Sequence, residues 1–129
     1  MHFSEKPLVS VIVPVYNAEG YIKKCVEALL SQTYPAEKTE IIFVDNNSSD
    51  ISVEIIKGYP VILLHQNDVK SSYAARNTAL LHAKGEIMAF TDSDCIPQND
   101  WIERAVDAIE ETKADIVGGR VKFFYSEKR

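Results

Sequence analysis

Short apolar runs rich in β-branched residues alternate along this chain with stretches of helical spacing. The runs lie at 8–15, 40–45, 61–65, 87–90 and 115–121. Between them, apolar residues recur every three or four positions, as on a helix with one buried face. Right-handed crossovers between such strands produce a mostly parallel sheet with helices on both faces. We therefore predict an α/β fold of three layers, α/β/α, formed by a single domain over residues 1–129.

The segments of helical spacing predict helices at 21–30, about 50–57, 72–84 and 101–109. Asn17 is the expected N-cap of the first helix. Pro14 is expected to mark the end of the first strand, because proline cannot donate a ladder hydrogen bond. Asn46 and Asn47 tolerate a left-handed backbone, so a sharp turn without glycine is expected after the second strand.

Acidic residues follow two of the predicted strands. Asp45 ends the second strand, and Asp92 and Asp94 come just past the run 87–90, which reads as a strand buried on both faces. Together with Tyr16 after the first strand, they are expected on one edge of the sheet, where open α/β sheets bind ligands. Two carboxylates one residue apart can hold a divalent cation, and that cation would attract a diphosphate that bare carboxylates repel.

The Asp-x-Asp pattern taken alone is also typical of a turn. Asp92 and Ser93 can bond their own backbone, and Pro97 follows shortly after. Other ligand patterns are absent from the sequence: no G-x-G-x-x-G follows the first strand, and neither a P-loop nor a G-x-S-x-G elbow occurs. These absences argue against a dinucleotide cofactor, a P-loop ATPase and a serine-elbow hydrolase.

Charge and composition narrow the class further. A net charge of −5 argues against a nucleic-acid groove. No apolar run approaches the roughly 20 residues of a membrane span, and the first residues lack a signal-peptide core, so a cytoplasmic protein is expected.

Cys25 and Cys95 suit neither a zinc site nor a disulfide framework, and Cys25 is expected in the core. His2, His65 and His82 show no ligand spacing and are expected to be solvent-facing or structural.

Four blocks in this chain resemble family 2 glycosyltransferases of the GT-A fold. They occur in the same order and at similar spacing as in that family, at 9–17, 43–45, 75–77 and 90–94. The resemblance extends over about 7–121. It implies a Rossmann-like GT-A fold and the inverting transfer of a sugar from a nucleotide-diphospho-sugar, expected to be UDP-linked, to an acceptor hydroxyl.

The resemblance also implies roles for single residues. Pro14 and Tyr16 are expected to line the nucleotide pocket, and Glu19 to face it. Asp45 is expected to accept a hydrogen bond from the base, and Arg76 to lie near the base and the phosphates. Three of these residues keep a simpler alternative: Asp45 as a helix cap, Arg76 as a surface ion pair and Tyr16 as a core aromatic.

For the acid pair, the resemblance implies a metal site. Asp94 is expected to bind Mg²⁺ or Mn²⁺ bridging the donor diphosphate, with Asp92 near the ribose and the metal and Ser93 in the same donor site. In such enzymes the metal stabilises charge on the departing nucleoside diphosphate, and a carboxylate base deprotonates the acceptor. No residue here matches that base, so the catalytic residue is unknown and is expected beyond Arg129.

Length and local detail set this chain apart from many family members. Residues 45–48 read Asp-Asn-Asn-Ser where many members have Asp-Asp-Gly-Ser.

The chain is expected to be the donor-binding half of the enzyme, with the acceptor-binding half absent. Its expected partners are the nucleotide-sugar donor and an acceptor that is a glycan, a lipid or a protein. No transmembrane segment is expected; a homodimer and peripheral membrane association of the full-length enzyme are both compatible with the sequence.

Two other classes of protein stay open on the sequence. One is a non-catalytic nucleotide-sugar-binding or dimerising module, in which the aromatic run 123–125 would be buried against a partner. The other is a receiver-type signalling domain, since acids at strand ends also suit phosphoryl acceptance. Residues 14–16 stand where such domains place an acid, and Gly118-Gly119 where they need a lysine. The two glycines read equally well as a plain bulge or as part of a sugar pocket.

Overall fold

Four parallel strands form the sheet in residues 5–112, the part of the chain that the computed structural model describes. The strands are β1 Val9–Val15, β2 Thr39–Asp45, β3 Ile62–His65 and β4 Ile87–Phe90. The helices are α1 Ile22–Leu30, α2 Ser52–Lys57, α3 Ser72–His82 and α4 Trp101–Thr112, with a short 3-10 helix at Ala36–Lys38. The strand order is β3-β2-β1-β4, and every neighbouring pair is parallel. The α/β class is confirmed, whereas the predicted fifth strand at 115–121 lies outside the described residues.

Alternate residues of β1 pack into two separate cores, one on each face of the sheet. Val13 belongs to a cluster with Ile22 of α1 and Trp101 of α4. Its neighbour Ile12 packs instead with Ala75 of α3. Because side chains alternate between the faces of a strand, α1 and α4 cover one face and α3 covers the other. All residues of β1 are buried, as expected for the inner strand of a three-layer fold.

The two helical layers differ in the size of the side chains they bury. Ile22 and Ile102 on the first face are fully buried, and each such side chain stabilises the fold by about 1.5–3 kcal/mol. On the other face, α3 buries Ala75 and Ala79, whose small side chains let this helix approach the sheet closely. The first residue of α3, Ser72, lies with the ends of β1 and β4 in one cleft.

Strand β4 differs from its sequence-based prediction. It is the edge strand of the sheet within residues 5–112, so it has a strand neighbour on one side there. Phe90 is 40% exposed, Ile87 and Met88 are half-buried, and Ala89 is buried. The prediction that this run is buried on both faces was therefore wrong; in the described sheet, β1 is the strand whose residues are all buried.

The loop asparagines take left-handed conformations that shape the carboxyl edge. Asn47 has a φ of 67°, which confirms the predicted sharp turn without glycine after β2. Asn17 is not the N-cap of α1, because that helix starts after Tyr21. Asn17 instead has a φ of 46°, and its Oδ1 accepts a hydrogen bond from the backbone N–H of Ser49 at 2.7 Å. Strand β1 runs one residue past Pro14, close to the predicted end.

Candidate nucleotide and metal site

A cleft of about 380 Å³ opens at the carboxyl edge of the sheet. This volume falls within the range of about 300–1,000 Å³ that is usual for small-ligand sites. The lining residues are Pro14, Val15, Tyr16, Asn17, Ala18, Tyr21, Asn46, Ser72, Asp92, Ser93 and Asp94. The structure thus brings together the predicted residues Pro14, Tyr16, Asp92, Ser93 and Asp94. The segments after β1, β2 and β4 share this edge, as the alternation of strands and helices predicted.

The acid pair lies in a tight turn directly after β4. The backbone N–H of Cys95 donates to the carbonyl of Asp92 at 3.1 Å, and that of Thr91 donates to the carbonyl of Ile12 at 3.2 Å, which ties the turn to β1. One potential ligand atom from each of Asp92, Asp94 and Cys95 lies within 4.8 Å of the others. The residues 92–95 therefore form both the turn and the acid cluster, so the two interpretations of the Asp-x-Asp pattern describe one segment. Asp94 is exposed, and exposed carboxylates suit a hard cation that keeps water or phosphate ligands.

The guanidinium of Arg76 lies next to the acid pair. Its Nη2 is 3.5 Å from Oδ1 of Asp92, with the two side chains 36% and 39% exposed. Arg76 does not line the cleft itself, so it adjoins the site through Asp92. The alternative of a surface ion pair describes this contact, but the partner is one of the predicted site residues.

Tyr16 lines the cleft and is 47% exposed, which excludes the core-aromatic alternative. The Nζ atom of Lys70 lies 4.5 Å from the centre of its ring, a cation–π distance. The loop that carries Lys70 is fastened to Asn46, whose Nδ2 donates to the carbonyls of Gln66 at 2.6 Å and Val69 at 2.8 Å. Neither Asn46 nor Lys70 was predicted as a site residue. The position of Asn46 at a strand end could have revealed it, whereas nothing in the sequence marks Lys70.

Asp45 is buried next to the cleft and does not line it. Its Oδ2 lies 3.4 Å from the backbone N of Ser48 and 3.9 Å from Nδ1 of His65, a half-exposed side chain. Its Oδ1 is buried without a hydrogen-bond partner among the described residues, which is uncommon for a buried carboxylate oxygen. The helix-cap alternative fails, because the first residue of α2, Ser52, donates its N–H to Oδ1 of Asp50 at 2.9 Å.

Glu19 does not line the cleft, although the resemblance suggested that it would face the pocket. Its side chain is exposed, and its backbone N–H donates to Oδ2 of Asp50 at 3.1 Å. The neighbouring N–H of Ala18 donates to Oγ of Ser52 at 2.8 Å. These bonds hold the loop after β1 against the loop after β2. The segment therefore shapes the cleft through its backbone.

Two cysteines that are far apart in sequence meet behind the acid pair. The thiol of Cys25 in α1 donates to the carbonyl of Asp92 at 3.7 Å, the same oxygen that accepts from the backbone of Cys95. The thiol of Cys95 donates to Oδ1 of Asp94 at 3.6 Å, and both cysteines are buried thiols outside any disulfide. Burial, reinforced by Cys95, Asp94 and Asp92, raises the pKa of the Cys25 thiol to about 12. The predicted core position of Cys25 is confirmed, whereas its proximity to Cys95 was not visible in the sequence.

This fold and cleft define an α/β protein with a ligand site at the carboxyl edge of a parallel sheet. The sequence profile of glycosyl transferase family 2 matches residues 10–129. The chain therefore belongs to glycosyl transferase family 2, as the resemblance of its four blocks implied. Membership in this family removes the receiver-type alternative. Among residues 5–112, no helix combines the length and the apolar character needed to cross a bilayer.

Known relatives agree with this assignment. Glycosyltransferase AglE of Haloferax volcanii is 45% identical over 127 residues, which are 95% of this chain and 42% of that protein. Mannosyltransferase PcManGT from Pyrobaculum calidifontis, solved with GDP-Man and Mn²⁺, matches with a TM-score of 0.76 at 32% identity, over 82% of this chain and 33% of that one. S. aureus TarS 1–349 in complex with UDP matches with a TM-score of 0.76 at 33% identity, over 84% of this chain and 33% of that one. The expected GT-A fold is confirmed, and this chain spans less than half the length of each of these relatives.

Proposed function

We propose that this chain is the donor-binding portion of a glycosyltransferase that moves a sugar from a nucleotide-diphospho-sugar, UDP-linked, to an acceptor hydroxyl. The observation that carries the proposal is one cleft lined by both Tyr16 and the acid pair Asp92 and Asp94. An aromatic ring suits a nucleobase, and two carboxylates suit a cation that neutralises a diphosphate. Membership in glycosyl transferase family 2 and the GDP-Man and UDP bound by two related structures support the same ligand class.

In this proposal, different residues around the cleft contact different parts of the nucleotide-sugar donor. Pro14 and Tyr16 pack against the base. The carboxylate of Asp45, which is buried beside the cleft and not in its lining, accepts a base N–H once its side chain turns toward the cleft. Ser93 contacts the donor between the two acids. Arg76 contributes positive charge at the phosphate end of the site and holds the carboxylate of Asp92 in place. Glu19 contributes through the backbone of its loop.

The side chains in the turn after β4 fit Mg²⁺ or Mn²⁺. Asp92 and Asp94 offer carboxylate oxygens within 4.8 Å of each other, and Asp94 is exposed and lines the cleft. The bound cation would supply charge stabilisation to the departing nucleoside diphosphate. The protein orients these carboxylates through Arg76 on Asp92 and through the Cys95 thiol on Asp94.

The proposed reaction is a single displacement with inversion at the sugar carbon. The acceptor is a glycan, a lipid or a protein hydroxyl, and the cytoplasm or the cytoplasmic membrane surface is the proposed location. A general base must take the proton of the acceptor hydroxyl. We assign this base to no residue of the present chain.

Calorimetric titration of UDP into the chain tests the proposal. We expect binding in the presence of Mn²⁺ or Mg²⁺, and a loss of affinity of about tenfold or more, or about 1.4 kcal/mol, when EDTA removes the metal. Asp94→Ala should produce a similar loss even with metal present. Asp107→Ala, which removes an exposed carboxylate of α4 outside the cleft, is the matched control and should bind UDP as the unmodified chain does.

The same titration with GDP identifies the base that the site prefers. UDP binding that is unaffected by EDTA and by Asp94→Ala would contradict a metal-dependent donor site. Circular dichroism of each variant separates loss of binding from loss of folding.

A further inference from the structure

The ammonium group of Lys70 occupies a position that neither the motifs nor the family resemblance marked. Its Nζ lies 4.5 Å from the centre of the Tyr16 ring, and that ring lines the cleft. Lys70 itself is exposed and does not line the cleft in this conformation. A cation is therefore held at the edge of the proposed donor site, on the ring that the base would contact.

The backbone on both sides of Lys70 is fixed by hydrogen bonds. On one side, the carbonyl of Val69 accepts from Nδ2 of Asn46 at 2.8 Å, and Asn46 lines the cleft. On the other side, Oγ of Ser71 caps α3 by accepting from the N–H of Ala74 at 3.0 Å. The loop thus holds the Cα atom of Lys70 near the cleft, while its four-carbon side chain keeps the freedom to move the charge.

The charged side chains that line the cleft leave a bound diphosphate in need of positive charge from elsewhere in the protein. The charged residues among those lining the cleft, Asp92 and Asp94, are both acidic. The guanidinium of Arg76 already lies 3.5 Å from Asp92. A nucleoside diphosphate brings further negative charge, of which one divalent cation balances only a part. Additional positive charge from the protein would therefore stabilise the complex.

We propose that Lys70 binds the phosphates of the nucleotide donor and leaves the ring of Tyr16 when it does so. A cation–π contact at an exposed site is weak, whereas a charge-assisted hydrogen bond to phosphate is stronger and carries a full opposite charge. The exchange is therefore favourable when a phosphorylated ligand is present. It also frees the ring of Tyr16 for the base. The movement of the Lys70 side chain therefore favours binding of both the phosphates and the base. This inference rests on the proposed function.

The inference predicts opposite behaviour for ligands with and without phosphate. Lys70→Met keeps most of the stem and removes the charge, so we expect UDP affinity to fall by about five- to tenfold. Uridine affinity should stay unchanged or rise slightly, because the cation no longer competes for the ring. Lys70→Arg should retain most of the UDP affinity. The measurements are calorimetry for UDP with Mn²⁺ and titration followed by nuclear magnetic resonance for the weaker uridine.

Lys57→Met is the matched control, since it makes the same change of net charge on an exposed position of α2. It should leave both affinities as they are in the unmodified chain. Equal losses of UDP and uridine affinity in Lys70→Met would overturn the proposal, because they would indicate a structural role or a contact with the base. Unchanged UDP affinity in that variant would overturn it as well. If the unmodified chain bound no UDP at any metal concentration, the proposed function would fail first and the role of Lys70 with it.

Discussion

Nη2 of Arg76 in α3 lies 3.5 Å from Oδ1 of Asp92, in the turn after β4. This contact joins the helix on one face of the sheet to the acid pair at its carboxyl edge. Both side chains are more than a third exposed, so solvent screens the pair and its contribution to folding is small, about 0–1 kcal/mol. Because the contact lies at the acid pair, we expect it to matter for binding more than for stability.

Arg76→Met tests that distinction. We expect UDP affinity with Mn²⁺ to fall by about five- to tenfold, because the phosphate end of the site loses a cation and Asp92 loses an orienting partner. The free energy of unfolding in urea should change by less than about 1 kcal/mol. Arg104→Met is the control, since Arg104 of α4 pairs at 3.9 Å with Asp100, the residue before that helix, and both side chains are similarly exposed. A large loss of stability in Arg76→Met, with affinity retained, would assign the residue to the fold.

Asp45→Asn should move binding and stability in different directions. The buried Oδ1 of Asp45 has no partner among the described residues, so replacing this oxygen by an amide nitrogen breaks no hydrogen bond that the structure shows there. We expect the melting temperature to stay constant or to rise. UDP affinity should fall by about three- to tenfold, because the hydrogen bond from the base loses its charge-assisted character. A destabilised variant with unchanged UDP affinity would show that Asp45 serves the fold alone.

Gly85→Ala should destabilise the protein, because an added Cβ atom has no room against β1. A Cβ atom at this position would lie 2.5 Å from Oγ and 2.6 Å from N of Ser10 in β1. The same Oγ accepts a hydrogen bond from the N–H of Gly85 at 2.8 Å, so it cannot move away without breaking that bond. We expect a loss of about 1–3 kcal/mol in the free energy of unfolding. Gly20→Ala is the control, because a Cβ there meets nothing within 4 Å, and it should stay within about 0.5 kcal/mol.

Tyr34 should make stability depend on alkaline pH. Its hydroxyl donates to the carbonyl of Pro7 at 2.5 Å, and burial, reinforced by Glu86 and Asp107, raises its pKa to about 12. An unfolded tyrosine titrates near about 10, so the folded state holds this proton more tightly. The stabilisation is complete below about pH 10 and is lost as the pH rises from about 10 to 12.

Tyr34→Phe should therefore be less stable at pH 8, by about 1 kcal/mol for the lost hydrogen bond, and should lose less stability above pH 10 than the unmodified chain. Urea unfolding at a series of pH values measures both effects. Tyr73→Phe serves as the control, since Tyr73 is 72% exposed, and it should keep the alkaline slope of the unmodified chain. If Tyr34→Phe kept that slope too, another group would be responsible for it.

Much of the fold follows from local pattern. The β-branched runs and the helical spacing between them predicted β1 to β4 and α1 to α4, because each element buries an apolar face whose period is visible in the sequence. The same pattern placed Tyr16, Asp92 and Asp94 at strand ends, and parallel pairing then required those ends to share an edge. Similarity to a family added the chemistry, which periodicity does not contain.

The sequence by itself determined the α/β class, the ligand edge and the acid pair, since these depend on period and order along the chain. Only the tertiary structure decided which side chains meet. It seated Lys70 on the ring of Tyr16, joined Cys25 and Cys95 through one carbonyl oxygen, and left Asp45 buried outside the cleft lining. Such contacts join residues far apart in the chain, and their geometry comes from how loops pack across neighbouring strands. No local propensity encodes that packing, because its energy depends on both partners at once.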